Sequence, residues 1–194
     1  MGRESKDNVR DRIISAAENL FWRYGIKKVT VDEIALAADI GKGTVYLHFD
    51  SKEEIGIAII RNYKQNVLAE QIRVAGDSSL SAYERLKQVI TLPIAGAHAK
   101  AHESPMVIDL INAVRPQITK SITDLMDREL TEIVGIIVAG NESGEMHVAD
   151  PVATARQMKI LSMAYMPGSM VCQLVTDPVQ SAKETVELTY QGLR

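Results

Sequence analysis

Between Thr30 and Lys52 the chain reads TVDEIALAADIGKGTVYLHFDSK, and this stretch restricts the fold more than any other. Thr30 stands three residues before Glu33, the spacing at which a hydroxyl and a carboxylate each satisfy an unpaired backbone N–H at a helix start. Val31, Ile34, Ala35 and Ala38 then recur at helical spacing on one side, and the alanines are small enough to let another helix approach closely. The pattern breaks after about two turns at Asp39-Ile40-Gly41, where Asp and Gly accept turn geometry and Gly41 can cap the next helix. A second short helix follows from Lys42 to His48, with Val45 and Phe49 on its inner side. Two short helices joined by a tight turn expose one of them, and an exposed short helix suits a DNA groove.

Lys42, Gly43, Thr44, Tyr46, Leu47 and His48 face away from the Val45 side. Gly43 allows a close backbone approach to a duplex, Lys42 can reach a base acceptor or a phosphate, and Tyr46, His48 and Lys52 can each donate to phosphate oxygens. The run Gly43-Thr44-Val45-Tyr46-Leu47-His48-Phe49, followed by Ser51-Lys52-Glu53-Glu54, resembles the TetR family of transcriptional regulators. The resemblance covers roughly the first third of the chain, from the helix near Val9 through Asn19-Leu20-Phe21 and Tyr24-Gly25 to the helix pair and Lys52. It implies phosphate contacts at Thr30, Thr44, Tyr46, His48 and Lys52, and base readout by Lys42, Gly43, Thr44 and Leu47. Two departures are visible: Asp39 where the family often has glycine, and Gly41 where it often has a serine or threonine cap. Neither breaks the motif, because aspartate tolerates a left-handed backbone and glycine caps only slightly worse than serine.

Charge alone would not reveal such a role. The 194 residues carry a formal net charge of −3 with a sequence pI near 5.8, which argues against a generic nucleic-acid coat. DNA contact must rest on placed residues, helped by Lys6, Arg10, Arg12, Lys27 and Lys28 around the first helix and its exit. A hydrophobic content of 46% is ample for a packed core and excludes a disordered chain. Cys172 is the sole cysteine, so no internal disulfide forms, and its apolar setting reads as a buried, inert thiol. With no signal peptide and no bilayer-length apolar run, the chain is expected in the cytoplasm.

The rest of the chain reads as all-helical, with about nine helices and neither a credible strand pattern nor an internal repeat. Residues 1–5 are expected to be loose. Helix one is expected over 6–24 with Val9, Ile13, Ala16, Ala17, Leu20, Phe21 and Tyr24 buried, and Gly25 ending it. A long helix follows from Ser51 to about Ala75, then one from Ser81 toward Ala101 that Pro93 and Gly96 should bend or interrupt. Pro105–Val114 reads as a short helix and Pro116 as the start of a longer one that stops before Gly140. Asp150-Pro151 and Asp177-Pro178 should cap the last two, about Pro151–Thr176 and Val179–Leu193. The division expected is a helix-turn-helix DNA-binding domain over 1–52, its motif about 30–49, and a helical effector-binding and dimerisation domain over 53–194.

The resemblance implies a homodimer through the last two helices, and the penultimate one is apolar over more of its surface than one packed face needs. A two-fold dimer implies a palindromic operator on double-stranded DNA. Leu86, Ile90, Ile94, Met106, Leu110, Met126, Met163, Met166 and Met170 can line a cavity for a small-molecule effector, although core packing explains the same residues. The function expected is a dimeric repressor released by a small molecule. Two alternatives remain: a metal-responsive regulator using His98 and His102, four apart on one helix face near Glu103, and a helical protein-interaction module that does not bind DNA. No glycine-rich phosphate loop, nucleophile elbow, paired zinc motif or kinase set appears, so neither an enzyme nor a cofactor is expected.

Overall fold

The computed structural model describes residues 6–192, so the expectation for 1–5 and the end at Leu193 lie outside the described residues. Among these residues the protein holds eight α-helices, one 3-10 segment and no strand. The helices are α1 (Lys6–Tyr24), α2 (Val31–Ala37), α3 (Lys42–Tyr46), α4 (Lys52–Ala75), α5 (Ala82–Glu103), α6 (Met106–Ser143), α7 (Pro151–Met163) and α8 (Pro178–Gln191), with the 3-10 segment at Val171–Leu174.

Local chemistry sets most of the boundaries. Gly25 ends α1 at φ +79°, donating its N–H to the Phe21 carbonyl at 2.9 Å, and glycine alone takes that backbone without strain. Asp150 and Asp177 accept the N–H of Ala153 and Gln180, each at 2.9 Å, and so cap α7 and α8. At the head of α4, Ser51 Oγ accepts the Glu54 N–H at 3.1 Å, while the Glu54 carboxylate takes the N–H of Asp50.

Three sequence expectations need correction. Pro93 neither bends nor breaks α5, which runs unbroken through it. A proline has no N–H, so the Val89 carbonyl four residues earlier loses its helical partner, and the Gln71 side-chain amide supplies a replacement at 2.7 Å. Pro116 likewise lies inside a single helix, α6, where the sequence divides it in two; Pro116 and Asn112, whose carbonyl it leaves unpaired, are both exposed and open to water. The penultimate helix stops at Met163 instead of Thr176. Pro167 cannot continue the ladder, Gly168 turns left-handed at φ +81°, and the chain passes through turns into the short 3-10 segment.

The described residues form two compact units. The first comprises the residues up to Tyr63 with Ala101–Ile122; its core includes Ile13, Ala17, Phe21, Ile34, Val45, Phe49 and Ile55, all essentially inaccessible. On α1, Ile14 is buried as well, and Tyr24, expected inside, is 46% exposed under the Arg23 guanidinium. The second unit comprises Lys64–Lys100 with the residues from Thr123 onward, around Leu86, Val89, Ile90, Ile133, Ile136, Ile137, Met146 and Met158.

Candidate nucleic-acid interface and effector-domain interior

The helix pair is held by bonds that the sequence foreshadows. Glu33 N–H donates to Thr30 Oγ1 at 3.3 Å, and the Glu33 carboxylate receives the Thr30 N–H at 2.7 Å and its hydroxyl at 2.8 Å. Those two bonds hold the Glu33 carboxyl below its usual range. Asp39 takes the left-handed conformation at φ +52°, and the Arg12 guanidinium of α1 donates to the Ala38 and Asp39 carbonyls, fastening the turn from outside. The Arg10 guanidinium lies 4.8 Å over the buried Phe49 ring.

The candidate contact residues divide into two groups. Thr30 and Lys52 are engaged within the fold: the Thr30 hydroxyl proton is given to Glu33, and Lys52 Nζ donates to the carbonyls of Val29 (3.1 Å) and Lys27 (3.3 Å). Lys42 pairs with Asp32 at 2.8 Å on the open surface, and that bond raises its pKa. Thr44, Tyr46 and His48, by contrast, carry side-chain donors that no other described residue uses. Tyr46 is 49% exposed and Leu47 83%. A Cβ built on Gly43 would meet nothing within 4 Å, so the protein's own packing does not require glycine there. Sequence reasoning missed Leu36, 82% exposed on α2; its signal was an apolar residue outside the Val31-Ile34-Ala35-Ala38 face.

The residues chosen from the sequence as a cavity do not gather at one place. Leu86 and Ile90 belong to the core of the second unit, where Ile94 is also fully buried. Met106 and Leu110 fall in the first unit, against Gly25 and Gly56 respectively. Met126 and Met166 are half-buried, while Met163 and Met170 are exposed. One cleft, lined by Ile90, Met158, Ser162, Tyr165 and Val186 among others, holds about 10 Å3, the space of a single water. His98 and His102 share α5, but His98 Nε2 donates to the Tyr165 carbonyl at 2.8 Å and His102 is exposed. Among the described residues no three metal-ligating side chains come together. Cys172 is half-buried, not buried; its Sγ lies 3.8 Å from His98 Nε2, and desolvation pushes the thiol up.

A polar cluster lies inside this otherwise apolar unit. Gln71, 1% exposed, spans Val89 and Glu129, giving its second N–H to Glu129 Oε1 at 3.0 Å. Glu129 Oε2 forms an ion pair with Lys159. The sequence gave no sign of this cluster, because its members are far apart along the chain.

The family profile described as "Bacterial regulatory proteins, tetR family" matches residues 13–59, the span from the buried side of α1 through the helix pair into α4. The "Fatty acid metabolism regulator protein" of Bacillus subtilis (strain 168) is 29% identical over 76% of this chain and 75% of its own length. A crystal structure of a tetR-family regulatory protein from Rhodococcus RHA1 superposes with a TM-score of 0.63 at 26% identity, covering 95% of this chain and 96% of that one. The chain belongs to the TetR family. The transcriptional regulator FadR of Bacillus subtilis, solved with stearoyl-CoA, shares the fold at a TM-score of 0.66 and 21% identity, over 95% of this chain and 99% of that one.

This TetR-family protein is therefore a DNA-binding transcriptional regulator. Its matched span contains the exposed α3 surface, Asp39 at the turn and the Arg12 clamp on α1 starts just outside it. Its second unit bears a run of exposed apolar side chains: Ile160, Leu161 and Met163 on α7, Leu174 on the 3-10 segment and Leu188 on α8. No helix among the described residues is long and apolar enough to cross a membrane.

Proposed function

We propose that the chain is a cytoplasmic, dimeric repressor that holds a near-palindromic operator through residues 1–52 and lets it go when a small molecule binds within residues 53–194. It acts by binding and not by catalysis. The observation that carries the DNA side is the group of unengaged donors on Thr44, Tyr46 and His48 beside the open Gly43. Glycine inside a helix costs about 1 kcal/mol relative to alanine; with nothing packed on it, the benefit of Gly43 lies toward a partner that comes close. In this reading Thr44, Tyr46 and His48 hold phosphates, Gly43 and Leu47 meet base edges, and Lys42 exchanges Asp32 for DNA. Thr30 and Lys52 position the helix pair and reach phosphate only where a bond to the fold is exchanged.

Dimerisation is supported by the apolar run on α7, the 3-10 segment and α8. Leu174 is 78% exposed and Leu188 70%, and side chains of this size leave water when a second copy covers them. The similarity to a fatty acid metabolism regulator and to a structure solved with stearoyl-CoA makes long-chain acyl compounds the first effectors to try. The test is a selection of genomic fragments by the purified protein at moderate salt, repeated with such compounds. Enrichment of one near-palindrome, lost on adding a compound, is the expected result; no enriched sequence, or only salt-insensitive association without DNA, would overturn the reading.

A further inference from the structure

Pro93 is the origin of an unusual feature in the second unit. Because it frees the Val89 carbonyl, Gln71 is drawn inward from α4 and holds Glu129 of α6 with its other N–H. Lys159 of α7 pairs with the second Glu129 oxygen; the two side chains are only 17% and 9% exposed. Lys64 lies seven residues before Gln71 on α4, which puts both on one helix face. It makes no hydrogen bond or ion pair with any described residue, yet it is close enough to feel the charges of both Glu129 and Lys159. Burial, then Lys159, pushes its ammonium below the ordinary lysine range, while Glu129 opposes them.

The charge count is uneven. One carboxylate faces two ammonium groups, and Glu129 already receives Lys159 and Gln71. A partly desolvated cation without a counter-charge is costly, and a structural ion pair has no need of the second lysine. An arriving oxyanion would meet a cation already desolvated and held beside a fixed polar frame, conditions under which charge-assisted hydrogen bonds are strong.

We propose that Lys64 is the anion-binding residue of the effector site, receiving a carboxylate or phosphate group of the small molecule beside the Glu129–Lys159 pair. This rests on the reading that the second unit takes a small-molecule effector. It adds that the effector is anionic and names the residue that senses it. Gln71 and Lys159 act as positioning residues, fixing Glu129 so that it does not collapse onto Lys64.

The test is calorimetric titration of the full-length protein with dodecanoate, dodecyl phosphate and dodecanol, all below their micelle concentrations, on the wild type, Lys64→Met and Lys64→Arg. The expected result is that at least one anion binds the wild type about tenfold or more tightly than dodecanol, that Lys64→Met removes this preference without weakening dodecanol, and that Lys64→Arg keeps it. Which anion wins tells carboxylate from phosphate. Equal binding of anions and alcohol, unchanged anion binding by Lys64→Met, or no anion binding at all overturns the assignment. The melting temperature of unliganded Lys64→Met is expected to stay level or rise; a fall would give Lys64 an internal structural partner and also overturn it. Operator release separates the two levels of the argument. Release by dodecanol as well as by the anions removes only the anion assignment, whereas no release by any member of a chemically mixed library removes the effector reading itself.

Discussion

Gly56 and Gly135 lie inside α4 and α6, and replacing each by alanine separates helix propensity from packing. Alanine is favoured over glycine inside a helix by about 1 kcal/mol. At Gly135, which is exposed, an added Cβ meets nothing within 4 Å, so Gly135→Ala should raise stability by close to that whole amount. At Gly56, which is buried, the same atom would lie 2.8 Å from Leu110 Cδ1, 3.2 Å from Val114 Cγ1 and 3.4 Å from Ile26 Cδ1. The Leu110 methyl can swing, but Leu110 and Val114 are both fully buried, and Val114 is β-branched and stiff. Overpacking of this kind costs about 1–3 kcal/mol. Set against the gain in propensity, Gly56→Ala should end between neutral and about 2 kcal/mol less stable. Urea unfolding followed by far-UV circular dichroism measures both, at one fixed protomer concentration because the stability of a dimer depends on it. If Gly56→Ala stabilises as much as Gly135→Ala, the close approach of α4 and α6 within the first unit is not tight, and the packing argument fails.

At the DNA surface, Tyr46→Phe and His48→Ala should weaken binding to all sequences alike, whereas changes at Lys42 or Thr44 should alter sequence preference; binding to randomised operator libraries distinguishes the two patterns. Asp32→Asn frees Lys42 and removes a like charge, so affinity for random duplex should rise and its salt dependence steepen, by anisotropy titration over a salt series; no change would place Asp32 away from DNA. Ile160→Asp together with Leu174→Asp should shift the protein to monomer in analytical ultracentrifugation and lower operator affinity, since a monomer presents one recognition helix; a persistent dimer would place the interface elsewhere. For Lys64, the folded-state pKa is depressed, so below it the ammonium is charged in both states and the folded protein carries the full burial cost. As pH rises from there to the ordinary value of 10.5, the unfolded chain binds more protons than the folded one and stability increases. With Glu129 of α6 and Lys159 of α7 facing it, the stability advantage of Lys64→Met should be largest at neutral pH and shrink toward pH 10.5; an advantage that does not vary over that range would refute the assignment of burial as the cause.

The parts legible in the sequence are those decided by residues close together along the chain. The capping box at Thr30 and Glu33, the left-handed Asp39, Gly25 after α1 and the aspartate caps of α7 and α8 each follow from a few neighbouring side chains, and the structure shows each bond. Pro93 shows where such reading stops. Its missing N–H is evident from the sequence, but the replacement comes from Gln71, twenty-two residues earlier, and only the packed fold brings that amide to Val89. Met106 and Leu110 illustrate the same limit. Their spacing marks an apolar helix face, but periodicity does not say that this face belongs to the first unit, against Gly25 and Gly56. The exposed α3 surface was legible because unused polar side chains and an unneeded glycine stand out against a short apolar pattern. The Lys64 cluster was not, since its four side chains come from three helices separated in sequence.

Near-neutral charge in a DNA-binding segment fits how its cations are used. Up to Lys52 the sequence carries nine Lys or Arg against eight Asp or Glu, and several of the nine are engaged by the fold: Arg12 by the turn carbonyls, Lys52 by Val29 and Lys27, Lys42 by Asp32. A segment with many free cations would bind any duplex, because phosphate contacts supply nearly all of non-specific affinity. Here most of that affinity is withheld, and the neutral donors of Thr44, Tyr46 and His48 hydrogen-bond phosphate only when α3 is correctly seated. The exposed Lys42–Asp32 pair is screened and readily exchanged, so Lys42 becomes available where an acceptor lies within its reach, and elsewhere Asp32 both occupies it and repels the backbone. Specificity then comes from suppressing wrong sites as much as from favouring the right one, which a net charge of −3 on the whole chain supports rather than opposes.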